Sequence, residues 1–192
     1  SDHGSHVHSI STARGDNVTG KRGVAPEASG GGIIALPGGG GSIAQVLASI
    51  ETAIEWSNRP EWADRFVSLN LSLGGPTTGD RANDLLAQAV QEAEEVHGIY
   101  VTIASGNSGP GLGTVRSPAW GPAGLAVAAT DHAGTVDAED DSIAFFSSRG
   151  TSDPDAPIGQ RENPDAAAGG VNIRGVVPGG YANLSGTSMA AP

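Results

Sequence analysis

The chain has 192 residues, a formal net charge of −11, no cysteine and a single lysine, Lys21. That length fits one domain able to bury about two thirds or more of the surface its unfolded chain exposes, and the lack of cysteine excludes disulfides, thiolate metal sites and a thiol nucleophile. The acidic balance and scattered arginines exclude a nucleic-acid surface, and no run of about eighteen apolar residues is present to cross a membrane.

Thirty glycines and twelve prolines with 4% aromatics suit an α/β protein rich in tight loops. In chain order, His6, Val7 and Ile10 predict a short helix from His3 to about Arg14, with His3 at its start. Residues 31–36 read as a buried strand. Ser42 is placed to cap a helix whose Ile43, Val46, Leu47, Ile50 and Ile54 form one stripe. Residues 66–72 read as a strand. Asp80 or Asn83 begins the next helix, whose Leu85, Leu86, Ala89, Val90, Ala93 and Val96 share a face before Gly98 ends it. Residues 99–104 and 125–129 are further apolar strands, and residues 150–168 a long polar loop. Strands alternating with helices predict an α/β fold of three layers, a mostly parallel sheet with helices on both faces. Ligands of such sheets bind beyond the carboxyl ends of the strands, where Gly74, Gly75, Asn107 and Gly109 fall.

Two blocks at the ends of the chain carry chemistry. Gly186-Thr187-Ser188-Met189-Ala190-Ala191-Pro192 puts a serine among very small neighbours where a helix can begin, so a carbonyl can approach while backbone N–H groups face a developing oxyanion. Asp2-His3-Gly4-Ser5-His6-Val7 supplies a base whose ordinary pKa lets it both take and return a proton. Between them stand Gly23-Val24-Ala25-Pro26-Glu27-Ala28, Asn70-Leu71-Ser72-Leu73-Gly74-Gly75, Val101-Thr102-Ile103-Ala104-Ser105-Gly106-Asn107-Ser108-Gly109, Phe146-Ser147-Ser148-Arg149-Gly150 and Asn163-Pro164-Asp165. In this order the blocks resemble the catalytic domain of the subtilisin-like serine proteases, the subtilases, over nearly the whole chain. The histidine lies upstream of the serine, as in that family's Asp, His, Ser order and unlike the α/β-hydrolases.

The resemblance implies a serine endopeptidase working through an acyl-enzyme, with Ser188 as nucleophile, His3 as general base and Asn107 as oxyanion donor. It implies peptide binding along Ser72, Leu73, Gly74 and Gly75 and along Ala104, Ser105 and Gly106. It further implies polypeptide substrates, a monomer, an extracellular location and no cofactor for the chemistry, with structural calcium left open. No strand bearing the triad aspartate precedes the histidine block, and Asp2, adjacent to His3, points elsewhere. The expectation is therefore a single partial domain over residues 1–192, nearly inactive by itself, without the aspartate strand and the end of the serine helix. An inactive homologue that binds peptides in the same cleft is the alternative.

Plainer explanations stand beside these. Ser188 could be a helix cap, His3 an exposed terminal histidine, Asn107 an ordinary turn residue, and residues 72–75 a strand end. His3, His6 and His8 invite a metal site, yet His8 points away and no metallopeptidase carboxylate motif accompanies them, which leaves His6 a structural role. Gly15-x4-Gly20-Lys21-Arg22 nearly spells a phosphate loop, but Arg22 replaces the metal-binding hydroxyl and no strand precedes it. Asp137, Glu139, Asp140 and Asp141 read as a solvated acidic turn whose spacing fits no defined calcium loop. The glycine run 38–41 is either a cleft wall or a plain loop. His8-Ser9 stands where the family usually has Ala-Gly, and Gly169 where it usually has proline.

Overall fold

The structure, a computed structural model, describes residues 2–15, 21–62, 65, 67–77, 80–150 and 163–192. Helix α1 spans Asp2–Thr12. Helix α2, Ile43–Ser57, begins with a reciprocal cap: Gln45 N–H donates to Ser42 Oγ (3.3 Å) and Ser42 N–H donates to Gln45 Oε1 (2.8 Å), satisfying two N–H groups that the helix start leaves without partners. Val46 and Ile50 from its stripe are buried.

Helix α3, Leu85–Glu95, is capped by neither residue the sequence suggested. Asp80 caps only a 3-10 turn at Arg81–Asn83, and Asp84 takes the helix start, its Oδ1 accepting from the N–H groups of Leu86 (3.0 Å) and Ala87 (3.2 Å). Asp84 is buried and prevails because its carboxylate also accepts from Ser117 Oγ and Trp120 Nε1. The buried face is Leu86, Ala87, Val90 and Ala93, whereas Leu85 and Val96 are exposed. Leu85 sits one residue off that stripe, and Val96 is the C-cap beyond the last turn. Gly98, at φ +65, then turns the chain out of the helix.

The sheet has β1 (Ser68–Leu71), β2 (Tyr100–Ala104), β3 (Leu125–Asp131), β4 (Ser142–Ile143) and β5 (Ala166–Gly169). β1, β2 and β3 are parallel in that order, β5 also lies parallel to β3, and β4 pairs antiparallel with the end of β3. Successive residues point to opposite faces. Val101, Ile103 and Ala126 accordingly join Val46, Ile50, Leu86 and Val90 in one apolar cluster, while Ala104, Val127 and Ala129 join Ala190 and Ala191 in another. Helices thus cover both faces of a mostly parallel sheet, the three-layer α/β arrangement the alternation predicts.

Three expectations need correction. Residues 31–36 form no strand; Ala35 N–H turns back to the Ile33 carbonyl (3.1 Å) and Ile34 is 81% exposed. A short apolar run between glycine-rich segments, with no strand beside it among the described residues, cannot offset its ordering entropy. Within the predicted loop, residues 166–168 are strand, because parallel pairing to β3 overrides the weak strand preference of alanine; residues 151–162 lie outside the described residues. The strand predicted at residues 66–72 is shorter, and Phe66 lies outside the described residues.

A hairpin of β6 (Ile173–Val177) and β7 (Gly180–Leu184) stands apart from the sheet. α1 packs on β6, and β7 leads through Ser185 and Gly186 into the one-turn helix α4, Thr187–Ala190. The hairpin thereby links the histidine helix to the serine.

Candidate active site

Met189, Ala190 and Ala191 are buried, and α4 rests on β2, β3 and β5, which leaves Ser188 partly exposed at the sheet's carboxyl end. Its hydroxyl lies 3.4 Å from the Ser72 carbonyl, while Ser72 Oγ donates to the Ser188 carbonyl at 2.8 Å. Ser188 N–H belongs to the first turn of α4, where no intrahelical acceptor exists.

Asn107 follows the end of β2 and is exposed. Its Oδ1 accepts from Thr187 N–H (2.9 Å) and Thr187 Oγ (3.0 Å), which fixes the amide's orientation and leaves the Nδ2 hydrogens to other acceptors. The fully buried Thr187 hydroxyl also accepts from Gly106 N–H (3.1 Å), so one side chain ties the asparagine loop to the serine turn. Glycine is required at 106: φ is +109, and a Cβ there would stand 2.9 Å from Ser148 Oγ.

A cleft of about 410 Å³ is lined by residues 73–76, by Ala104, by residues 106–108, by Arg116, and by Thr187 and Ser188. The fold therefore brings Leu73, Gly74, Gly75, Ala104, Gly106 and Asn107 together around Ser188. Ser72 touches Ser188 without lining the cleft. Ser105 is placed differently from the expectation: it is fully buried, its N–H donates to the Val127 carbonyl (3.0 Å) and its carbonyl accepts from Arg116 N–H (3.2 Å), so it supports the cleft from beneath. Glycines 38–41 are not among the lining residues.

His3 lies in the first turn of α1, which touches α4. Partial burial, and secondarily the charge of His6, hold its pKa below the ordinary 6.5. Among the described residues no carboxylate is paired with it. His6 is fully buried, its Nε2 lying 3.0 Å from the Ile173 carbonyl and 3.1 Å from that of Ala182, so a proton on Nε2 is shared between both strands of the hairpin. Ser9 joins the same contact, donating to the His6 carbonyl (2.7 Å) and accepting from Val176 N–H (2.8 Å).

The remaining sequence candidates lie elsewhere. Gly15 follows α1 and Gly20 is outside the described residues. In the acidic turn, Thr135 Oγ donates to Asp140 (2.9 Å) and Asp137 Oδ1 accepts from Glu139 N–H (3.0 Å). The described residues contain no group of three or more His, Asp or Glu side chains placed to hold a metal ion, and no helix long and apolar enough to cross a membrane. Thr187 and Arg116 escaped the sequence reading. Thr187 stood inside a recognised block without a role, and nothing local marks Arg116, which the chain brings back to the cleft by folding on itself.

The α/β scaffold thus places a serine at a helix start beside an asparagine amide, above the carboxyl ends of a parallel sheet. The chain belongs to the Subtilase family, whose model matches residues 1–192. It is 34% identical over 209 residues to serine protease AprX of Bacillus subtilis (strain 168), covering 99% of this chain and 46% of that protein. It is likewise 34% identical to subtilisin Savinase of Lederbergia lenta, covering 99% of this chain and 59% of the relative. The solved structure of Sphericase superposes with a TM-score of 0.81 at 29% identity, over 100% of this chain and 60% of the other. The S41 psychrophilic protease gives 0.73 at 30% identity, over 99% and 59%. The chain thus spans about half the length of the relatives it matches.

Proposed function

We propose that the protein carrying this chain is a serine endopeptidase, acting outside the cell on polypeptides. Ser188 Oγ attacks the scissile carbonyl while His3 takes its proton, and His3 then returns that proton to the leaving amine; water repeats the sequence on the acyl-enzyme. Asn107 Nδ2 and Ser188 N–H receive the tetrahedral oxyanion. An extended peptide lies along residues 72–75 as an added strand. A carboxylate from outside this chain orients His3 and stabilises the imidazolium.

The observation that carries this reading is the lock between Asn107 Oδ1 and Thr187 N–H at 2.9 Å, which occupies the amide's acceptor end and leaves its Nδ2 donors uncommitted beside the serine turn. The test is covalent labelling of the natural full-length protein by a fluorophosphonate probe. Labelling that is lost in Ser188→Ala, together with cleavage of a denatured protein substrate, supports the proposal. A folded protein that neither labels nor cleaves, but retains peptides in a binding assay, would make it the inactive homologue instead.

A further inference from the structure

Arg116 is a cation in the wrong place for a merely structural residue of a chain with net charge −11. It lines the same cleft as Ser188 and Asn107. Its backbone continues the floor through the bond to Ser105, and its stem is held between the two segments that would grip a peptide. A Cβ on Gly106 would approach Arg116 Cγ at 3.0 Å, and one on Gly74 would approach Arg116 Cβ at 3.7 Å.

Arg116 is half-buried, and its Nε–H and one Nη2–H both donate to Ser108 Oγ at 3.2 Å. That leaves three of its five N–H donors uncommitted among the described residues. No carboxylate is paired with it there. The nearby acidic group, Asp84, is already engaged with α3, Ser117 and Trp120. A planar donor fork fixed at its stem and open at its tip matches a carboxylate.

Resting on the peptidase reading above, we infer that Arg116 selects substrates with an aspartate or glutamate side chain on the residue that supplies the scissile carbonyl. That residue's side chain is the one nearest Ser188 on the acyl side, and it enters the cleft past Gly74 and Gly106. Ser108 holds the guanidinium ready, so the carboxylate meets an already oriented partner.

The test uses the natural full-length protein and peptides blocked at both ends, identical except for Glu, Gln, Leu or Lys before the scissile bond. The Glu peptide is expected to exceed its Gln counterpart in kcat/KM by about ten- to a hundredfold, the worth of a hydrogen-bonded charged group, with Lys poorest and the preference shrinking as salt rises. In Arg116→Gln the Glu-to-Gln ratio falls to about one, the level at which a charged and a neutral amide group are no longer told apart. Equal or better cleavage of Gln or Leu peptides by the unaltered protein overturns the inference, whether or not the variant folds. So does cleavage of the Glu peptide that is seen only when its C-terminal block is left off. Fluorophosphonate labelling of Ser188 separates the two levels. A labelled enzyme without acidic preference defeats only this inference, whereas an unlabelled, inert protein defeats the reading beneath it.

Discussion

Ser72 and Ser188 face each other through reciprocal groups: the Ser72 hydroxyl donates to the Ser188 carbonyl at 2.8 Å, and the Ser188 hydroxyl lies 3.4 Å from the Ser72 carbonyl. The first bond is good and the second is long. The strand end proposed to hold a peptide is therefore tied to the turn of the proposed nucleophile, while the Ser188 hydroxyl itself is only weakly held and free to rotate.

Ser72→Ala removes the good bond and leaves the weak one. The expected outcome is a loss of about 1 kcal/mol in stability by urea denaturation. Turnover should drop several-fold with little change in KM, since the peptide's backbone contacts remain. A variant as active and as stable as the parent would show that the tie has no energetic content.

Asn107→Ala should lower kcat by about 10²- to 10³-fold with KM nearly unchanged, a scale that itself derives from loss of the equivalent donor in a subtilisin. Thr187→Val tests the support of that asparagine. It strips one of two donors from Asn107 Oδ1 and leaves Gly106 N–H without its 3.1 Å acceptor. Because that acceptor is buried, about 1–3 kcal/mol of stability should be lost. Its kcat loss should be smaller than that of Asn107→Ala. Steady-state kinetics and denaturation of the two variants, compared side by side, check both statements.

The lowered pKa of His3 has a signed consequence. Burial and the charge of His6 disfavour the imidazolium in the folded chain, so just below pH 6.5 the unfolded chain holds a proton that the folded one does not. Stability from this group therefore rises with pH through that window and is lost as pH falls below 6.5. NMR titration of this chain should place His3 below 6.5, and His6→Gln should move it upward by removing the second cause. The carboxylate proposed to orient His3 would act in the opposite direction.

Where local chemistry decides structure, the sequence was readable. Ser42 with Gln45, Gly98 after α3 and the apolar runs of β2 and β3 each state their own conformation through capping, positive φ or burial. The two terminal blocks and the asparagine loop were readable as a site because their order, not their neighbourhood, carries the resemblance. What stayed hidden depends on partners distant in the chain. Asp84 became the cap of α3 because Ser117 and Trp120 reach its carboxylate, and alanines 166–168 became strand because β3 was there to pair with them. The resemblance implies that Ser105 binds peptide, whereas it is fully buried with its backbone bonded to Val127 and Arg116. Arg116 has no motif at all.

The anchoring of α1 gives the last prediction. Gly175 on β6 faces the His6 ring so closely that a Cβ would lie 2.7 Å from Cγ and Cδ2. The ring cannot retreat without giving up the carbonyls of Ile173 and Ala182, so Gly175→Ala must push α1 away from the hairpin. Overpacking of this kind costs about 1–3 kcal/mol, and because α1 carries His3 while the hairpin runs into Ser188, turnover should fall along with stability. Ser9→Ala loosens the same contact without a clash, removing the bonds to the His6 carbonyl and Val176 N–H, and should cost only about 0.5–1.5 kcal/mol. Truncating the ring relieves the clash, so in a double-mutant cycle Gly175→Ala should be markedly less harmful in a His6→Ala background. Additive effects of the two substitutions would mean that the ring and the glycine do not meet, and that something other than this contact holds the histidine helix in place.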